Sequence, residues 1–161
     1  MTETAPTRLK DLRIQERRIE DLYVLWDNGE LTLNPFYQRG SVWNDERRYA
    51  LIDTVLSKYP LGVIMLEVNA TQDADGEIVE NYEVVDGQQR LETLFEYIRG
   101  AKSWTHPRNA VELYPFTRFQ DLSRNRQNAV RSYEIPIAYL RDYDPDDIET
   151  IFLRVQFGMA L

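Results

Sequence analysis

One stretch of this sequence constrains the fold more than any other: an apolar run ends at Asp86-Gly87, and an amphipathic segment begins at the next residue. Residues 81–86 have the pattern of a buried strand. The segment that follows repeats apolar residues at helical spacing up to a stop signal at Gly100; these positions are Leu91, Leu94, Phe95 and Ile98. A strand that enters a helix through so short a turn presents backbone N–H groups and the positive end of the helix dipole there. The sequence therefore predicts a strand, a turn suited to anions, and a helix.

The rest of the pattern predicts helices and strands around this unit. Residues 61–70 form a continuous apolar run, and an Asp-Gly turn joins them to 81–86 as a hairpin. Helices are predicted over 19–26, from the capping residue Asn44 to a stop at Pro60, within 123–130, and after the pair Asp144-Pro145. A further strand is predicted within 132–142, with an extended segment over 31–43 and irregular structure over 101–122. This order predicts one α+β domain over 1–161, a mixed α/β domain whose abrupt ending suggests truncation at the C-terminal end.

Composition excludes several classes of site. The formal net charge of -8 argues against a surface that grips nucleic acid throughout, so any polyanion site has to be local. The absence of cysteine excludes disulfides, thiolate zinc sites and cysteine nucleophiles, and the single histidine, His106, cannot build a multi-histidine metal centre. No secretory signal or membrane-spanning run is visible, which leads us to expect a cytoplasmic protein with no membrane partner.

The residues of the turn suit phosphate chemistry. Gly87 permits a close approach or a positive φ, and the guanidinium of Arg90 can fork onto phosphate oxygens. Asp86 can hold a metal ion or orient a water molecule, while Gln88 and Gln89 offer amide donors and acceptors. The alternative is that Asp-Gly only starts the helix and that Arg90 is a charge on the surface.

A second Gln-Arg pair lies earlier in the chain. Gln38 and Arg39 precede a glycine and stand among aromatic residues in NPFYQRGSVW, a context typical of the rim of a site. The alternative here is that Arg39 stacks on Trp43 or Tyr37 and serves packing alone.

The two Gln-Arg segments together resemble a known family. The run from LNPFYQRGSVW through VVDGQQRLETL resembles the ParB-related domain at the N-terminus of GmrSD-type restriction endonucleases, a family recognised by its DGQQR motif. The resemblance covers nearly the whole chain. The final FLRVQFGMAL is also similar to a family segment, but Gln156 stands where asparagine is usual.

This resemblance implies a ParB and sulfiredoxin fold and a role in nucleotide binding or hydrolysis in defence against phage with modified DNA. By carry-over, Asp86, Gly87, Gln88, Gln89 and Arg90 form the nucleotide or catalytic pocket. Gln38 and Arg39 join that pocket as phosphate-binding residues from the earlier segment. Sulfiredoxin chemistry itself needs a cysteine, which this chain lacks.

The leading hypothesis is an NTP-binding and NTP-hydrolysing domain of an anti-phage restriction system. Arg39 and Arg90 would clamp the phosphates, Asp86 would hold Mg²⁺ or orient the attacking water, and a nuclease would be the partner, as a C-terminal domain or a separate protein. The alternatives are a ParB-type DNA nuclease or nickase and a non-catalytic module that senses a ligand or DNA. DNA binding requires a local basic strip, and the two candidates are TRLKDLRIQERR over 7–18 and SRNRQNAVR over 123–131.

Overall fold

The computed structural model describes residues 9–33, 43–100 and 117–158. Within these ranges it contains five strands, β1 (Asp11–Arg18), β2 (Leu31–Thr32), β3 (Ile64–Gln72), β4 (Ile78–Asp86) and β5 (Glu134–Arg141). It also contains five α-helices, α1 (Ile19–Asp27), α2 (Asp45–Leu56), α3 (Gln88–Arg99), α4 (Arg124–Arg131) and α5 (Pro145–Gln156), and a 3₁₀ turn, Phe119–Asp121. The expectation of an α+β domain is confirmed.

The strands form one mixed sheet in the order β1-β5-β3-β4-β2. The predicted hairpin is confirmed, because β3 and β4 pair antiparallel with Gln72 opposite Ile78. Strand β5 runs parallel to β3 and antiparallel to β1, and β2 runs parallel to β4. Strand β4, which leads into the Asp86-Gly87 turn, therefore has a neighbouring strand on each side, and so does β3 beside it.

Most of the core lies on one face of the sheet. The inward residues of β3, β4 and β5 pack there against helices α1 to α4 in a continuous cluster that includes Leu66, Val84, Ile137, Leu94 and Phe95. On the opposite face α5 is the described helix that packs, with Ile148 and Phe152 against Val85 and Leu140. The sheet is thus the middle layer of three.

Helix starts follow the predicted local chemistry with one exception. Asn44 caps α2, since its side chain accepts a hydrogen bond of 3.0 Å from the Arg47 N–H. Helix α5 begins at Pro145 as predicted, but the side chain of Asp144 makes no capping hydrogen bond; its backbone carbonyl accepts from Ile148 N–H at 3.1 Å instead.

Strand β1 was not predicted from the sequence. It forms from residues 11–18, which lie within the candidate basic strip over 7–18. The alternation of Leu12 and Ile14 with polar and charged residues is a strand signal, but it covers only two apolar positions. Both side chains stay exposed, at 55% and 64%.

Several predicted features fall outside the described residues. They are most of the extended segment 31–43, most of the irregular segment 101–122 with His106, and the side chain of Gln156. Within the described part of the extended segment, Leu31–Thr32 forms a strand. The described end of the irregular segment contains the 3₁₀ turn. None of the described helices is long and apolar enough to cross a membrane.

The burial of Leu94 in α3 predicts how much this side chain contributes to the stability of the domain. Leu94 is fully buried, so Leu94→Ala should lower the free energy of unfolding by about 2–5 kcal/mol through lost transfer energy and the cavity left behind. Urea denaturation followed by circular dichroism measures this change. Val24→Ala is the control, because Val24 is 54% exposed and should lose much less. Equal losses in the two variants would contradict the assigned core.

Candidate functional site at the strand-to-helix turn

Gly87 makes the turn between β4 and α3 in a conformation that only glycine adopts without strain. Its φ is +110°, in the left-handed region, and it is the residue that precedes the first turn of α3. A Cβ built on Gly87 would also lie 2.7 Å from Cγ1 of Ile64. Both the backbone angle and the contact with β3 therefore require glycine here.

Arg90 is anchored inside the fold. Its Nη1 donates to the carbonyl oxygen of Gly62 at 2.9 Å, and its Nη2 donates to the carbonyl of Val63 at 3.0 Å. Nη2 also lies 3.2 Å from Oδ2 of Asp86. The side chain is only 19% exposed, so the alternative of a solvated surface charge does not hold. The guanidinium ties the segment before β3 to the start of α3.

The ion pair between Asp86 and Arg90 is partly desolvated. Burial raises the pKa of Asp86 above its ordinary value, and the nearby Arg90 charge and the Gly87 backbone hydrogen bond only partly offset this rise. Burial also lowers the pKa of Arg90, while Asp86 opposes that change. Arg90 stays protonated at neutral pH even so, because a guanidinium is too strongly basic to lose its proton there. Burial of the two groups therefore imposes a desolvation cost that their mutual attraction has to offset.

Gln89 joins the turn to the segment that carries the earlier Gln-Arg pair. Its Oε1 accepts a hydrogen bond of 3.3 Å from the backbone N–H of Trp43. Its Nε2 is buried and has no hydrogen-bond partner among the described residues. An unsatisfied buried amide typically costs about 1–3 kcal/mol, and a functional role is one reason for a protein to retain one. Oε1 of the neighbouring Gln88 is buried as well.

The N-terminus of α3 differs from those of the other described α-helices. Asn44 caps α2 and Ser123 caps α4, while acidic residues occupy the first turns of α1, α2 and α5. Helix α3 has neither a capping side chain nor an acidic residue in its first turn. Among the described α-helices, α3 is therefore the one whose positive dipole end is compensated neither by a capping side chain nor by an acidic residue in the first turn.

The structure brings together five of the seven predicted site residues, Asp86, Gly87, Gln88, Gln89 and Arg90, in one turn. The other two, Gln38 and Arg39, lie outside the described residues. Trp43, the first described residue after that segment, reaches the turn through Gln89. Sequence reasoning missed Gly62 and Val63, whose backbone carbonyls hold Arg90 and leave no signature in residue type.

Asp86 is the only predicted metal ligand, and the described residues hold no group of three or more His, Cys, Asp or Glu side chains arranged for a metal ion. Mg²⁺ does not need such a group, since it keeps several waters and often takes one or two carboxylates together with substrate phosphates. The carboxylate of Asp86 is 31% exposed and pairs with Arg90 through Oδ2. A single partly exposed carboxylate fits that mode of binding.

Comparison with known proteins gives one match. The family model described as the GmrSD restriction endonuclease, N-terminal domain, matches residues 19–157. Searches of curated proteins and of solved structures find no match. The matched range runs from the start of α1 past the end of α5 and includes the whole turn.

Replacing Gly87 tests the geometry of the turn. Gly87→Ala should be more destabilising than Gly76→Ala by about 1–3 kcal/mol, the typical cost of overpacking, because only Gly87 faces Ile64. Gly76 is the matched control: its φ is +80° and no atom lies within 4 Å of an added Cβ. Thermal and urea unfolding of the two variants provide the measurement. Equal destabilisation would mean that the contact with Ile64 relaxes without cost.

The raised pKa of Asp86 predicts a pH dependence of stability. A carboxyl whose pKa is higher in the folded protein binds its proton more tightly there, so its contribution to stability grows as pH falls through the folded pKa towards the ordinary value of 3.8. The unfolding free energy of the parent minus that of Asp86→Asn should therefore rise on acidification from pH 7.

Urea unfolding at a series of pH values measures this difference. Asp75→Asn, at an exposed position in the turn between β3 and β4, is the control and should show a smaller change. A difference that falls on acidification would mean that the attraction to Arg90 outweighs burial.

Proposed function

Because the chain belongs to the family of GmrSD restriction endonuclease N-terminal domains, and so forms part of a restriction endonuclease system, we propose that it binds and hydrolyses a nucleoside triphosphate at the turn between β4 and α3. In this proposal the domain regulates a nuclease, carried as a C-terminal domain or by a separate protein, in defence against phage with modified DNA.

The observation that carries the proposal is the hydrogen bond between Trp43 N–H and Gln89 Oε1. It joins the first turn of α3 to a residue only four positions after Arg39. Trp43, which ends the segment that carries the earlier Gln-Arg pair, is thereby held at the turn. This supports a shared site to which the second arginine contributes.

The electrostatics of the turn support an anionic ligand. The dipole of α3 has no acidic side chain in its first turn, and a phosphate bound there would meet backbone N–H groups. The buried Nε2 of Gln89 is a further donor in the same place. In a chain with a net charge of -8, a triphosphate needs such a concentration of donors to bind.

Each residue has a role that follows from its contacts. Gly87 lets the backbone pass close to the ligand, and Gln88 and Gln89 orient the phosphates or the attacking water. Arg90 holds the turn in shape through Gly62 and Val63. In this proposal its charge also attracts the phosphates to the first turn of the helix. Gln38 and Arg39 bind the phosphates from the other segment.

Asp86 is the residue that would hold Mg²⁺, which when bound would neutralise charge on the β- and γ-phosphates. In the hydrolysis itself, a water oxygen forms a bond to the γ-phosphorus as the bond to the bridging oxygen breaks. The products are a nucleoside diphosphate, inorganic phosphate and a proton. The protein contributes mainly position and charge to such a reaction, which suits a site without a cysteine or histidine.

Calorimetry with ATP, GTP, CTP and UTP, with and without Mg²⁺, tests the proposal together with an assay of phosphate release. We expect binding of at least one nucleotide and Mg²⁺-dependent release. Binding without release would leave a ligand-sensing module, and the absence of both would overturn the proposal. Plasmid incubated with the same protein checks for nicking, the outcome that would favour a nuclease.

Arg39→Ala should weaken nucleotide binding at least about tenfold, since a charge-assisted hydrogen bond contributes roughly 1.5–3 kcal/mol. Arg47→Ala is the matched control, because Arg47 is an exposed arginine of α2 near the same segment. Calorimetry of the two variants at equal ionic strength is the measurement. Equal affinities in the two variants would remove Arg39 from the site.

A further inference from the structure

A second cationic site lies on the sheet, outside the turn. It is an open pocket of about 330 Å³ whose wall includes Arg13 and Arg17 of β1, Arg141 and Tyr139 of β5, and Tyr82 of β4. We call the three arginines the arginine strip. The strip gathers positive charge on a chain whose net charge is -8.

The register of the strands explains why these side chains share one face. Arg13 lies opposite Tyr139, and Arg141 lies opposite Asp11, in the antiparallel pair of β1 and β5. Arg13 and Arg17 are four residues apart on one strand, so their Cα atoms are about 13 Å apart and their side chains lie on the same face of the sheet. The charges of Arg13 and Arg17 are therefore spaced along the edge strand β1, with Arg141 beside them on β5.

Arg17 is the residue whose surroundings point to a ligand. Its Nε donates to the hydroxyl of Tyr139 at 2.8 Å, which fixes the guanidinium over the sheet. Among the described residues it forms no salt bridge with a carboxylate, and the side chain is half-buried. Tyr82 packs edge-on against Tyr139 with 5.8 Å between the ring centroids and supports that tyrosine from β4.

The other two arginines have partners that a ligand can replace. Arg13 pairs with Asp11 at 3.1 Å, but its side chain is 75% exposed. Arg141 pairs with Glu80 at 2.9 Å on the rim of the pocket. Exposed ion pairs of this kind contribute at most about 1 kcal/mol, so exchanging the partner for a phosphate costs little.

We propose that the arginine strip binds the phosphodiester backbone of DNA. The spacing along β1 suits an extended polyanion with phosphates at intervals better than a compact triphosphate. The open shape of the pocket leaves room for a strand to pass. Arg13 and Arg17 lie within 7–18, one of the two basic runs in the sequence, and the site is separate from the nucleotide site at the turn. The proposal does not depend on nucleotide hydrolysis.

The test compares two variants that each remove two positive charges. Arg13→Gln/Arg17→Gln removes the strip on β1, and Arg124→Gln/Arg126→Gln removes exposed arginines of α4, in the other basic run. Fluorescence anisotropy with a labelled 20-base-pair duplex of mixed sequence, and with one of its single strands, gives affinity as a function of salt. The full chain is used, and circular dichroism confirms that each variant is folded.

We expect the β1 variant to bind DNA at least about tenfold more weakly at low salt and to lower the slope of log affinity against log salt by about 2, since each lost phosphate contact lowers it by about 1. The α4 variant should remain within about twofold of the parent. Tyr139→Phe, which keeps the ring but frees Arg17, should weaken binding less than the double variant does.

The proposal is overturned by an absence of DNA binding in the parent, by equal losses of affinity in the two double variants, or by unchanged DNA binding in the β1 variant. Inorganic triphosphate serves as a compact competitor and should displace DNA poorly. If inorganic triphosphate binds the parent but not the β1 variant, the arginine strip is a site for compact anions, and its assignment to the DNA backbone is wrong. Nucleotide calorimetry on the same variants measures the site at the turn independently. A loss of DNA binding with nucleotide binding unchanged therefore concerns the arginine strip alone.

Discussion

The arrangement of the site depends on the hydrogen bonds that Arg90 donates to two backbone carbonyls. Gly62 and Val63 lead into β3, Asp86 ends β4, and Arg90 stands in the first turn of α3, so one guanidinium joins three elements. Arginine suits this role because its planar fork offers several donors in fixed directions, which a lysine lacks. Gly87 completes the joint from the other side by its close approach to Ile64. The turn is rigid because contacts on both sides define it.

This joint gives the motif two functions that are difficult to separate by mutation. Breaking a buried ion pair by removing one partner typically costs about 3–5 kcal/mol, so loss of activity on changing Arg90 does not by itself identify a phosphate ligand. An arginine free for a ligand would cost the unliganded fold little, and the contacts of Arg90 do not have that character. The buried Nε2 of Gln89 is the better probe of binding, because it has no hydrogen-bond partner among the described residues.

How far the sequence predicts this structure depends on how local each signal is. The hairpin, the helix after Gly87 and the cap at Asn44 depend on near neighbours in the chain, and the patterns of apolar and capping residues found them. The partners of Arg90 are carbonyls 27 and 28 residues away, and a carbonyl has no residue identity to read. Strand β1 was missed because its charged residues dominated the alternation of Leu12 and Ile14.

The two proposed anion sites are connected by one strand. Tyr82 of the pocket and Asp86 of the turn lie on the same face of β4, four residues and about 13 Å apart. That strand pairs with β3, with a register shift between Met65 and Leu66, and with β2 beside Tyr82, so ladder hydrogen bonds restrain it on both sides. DNA on the strip and a nucleotide at the turn would therefore meet the domain at a fixed separation. Any communication between them has to come from charge or from the segments that join the strands, because the sheet itself holds their geometry constant.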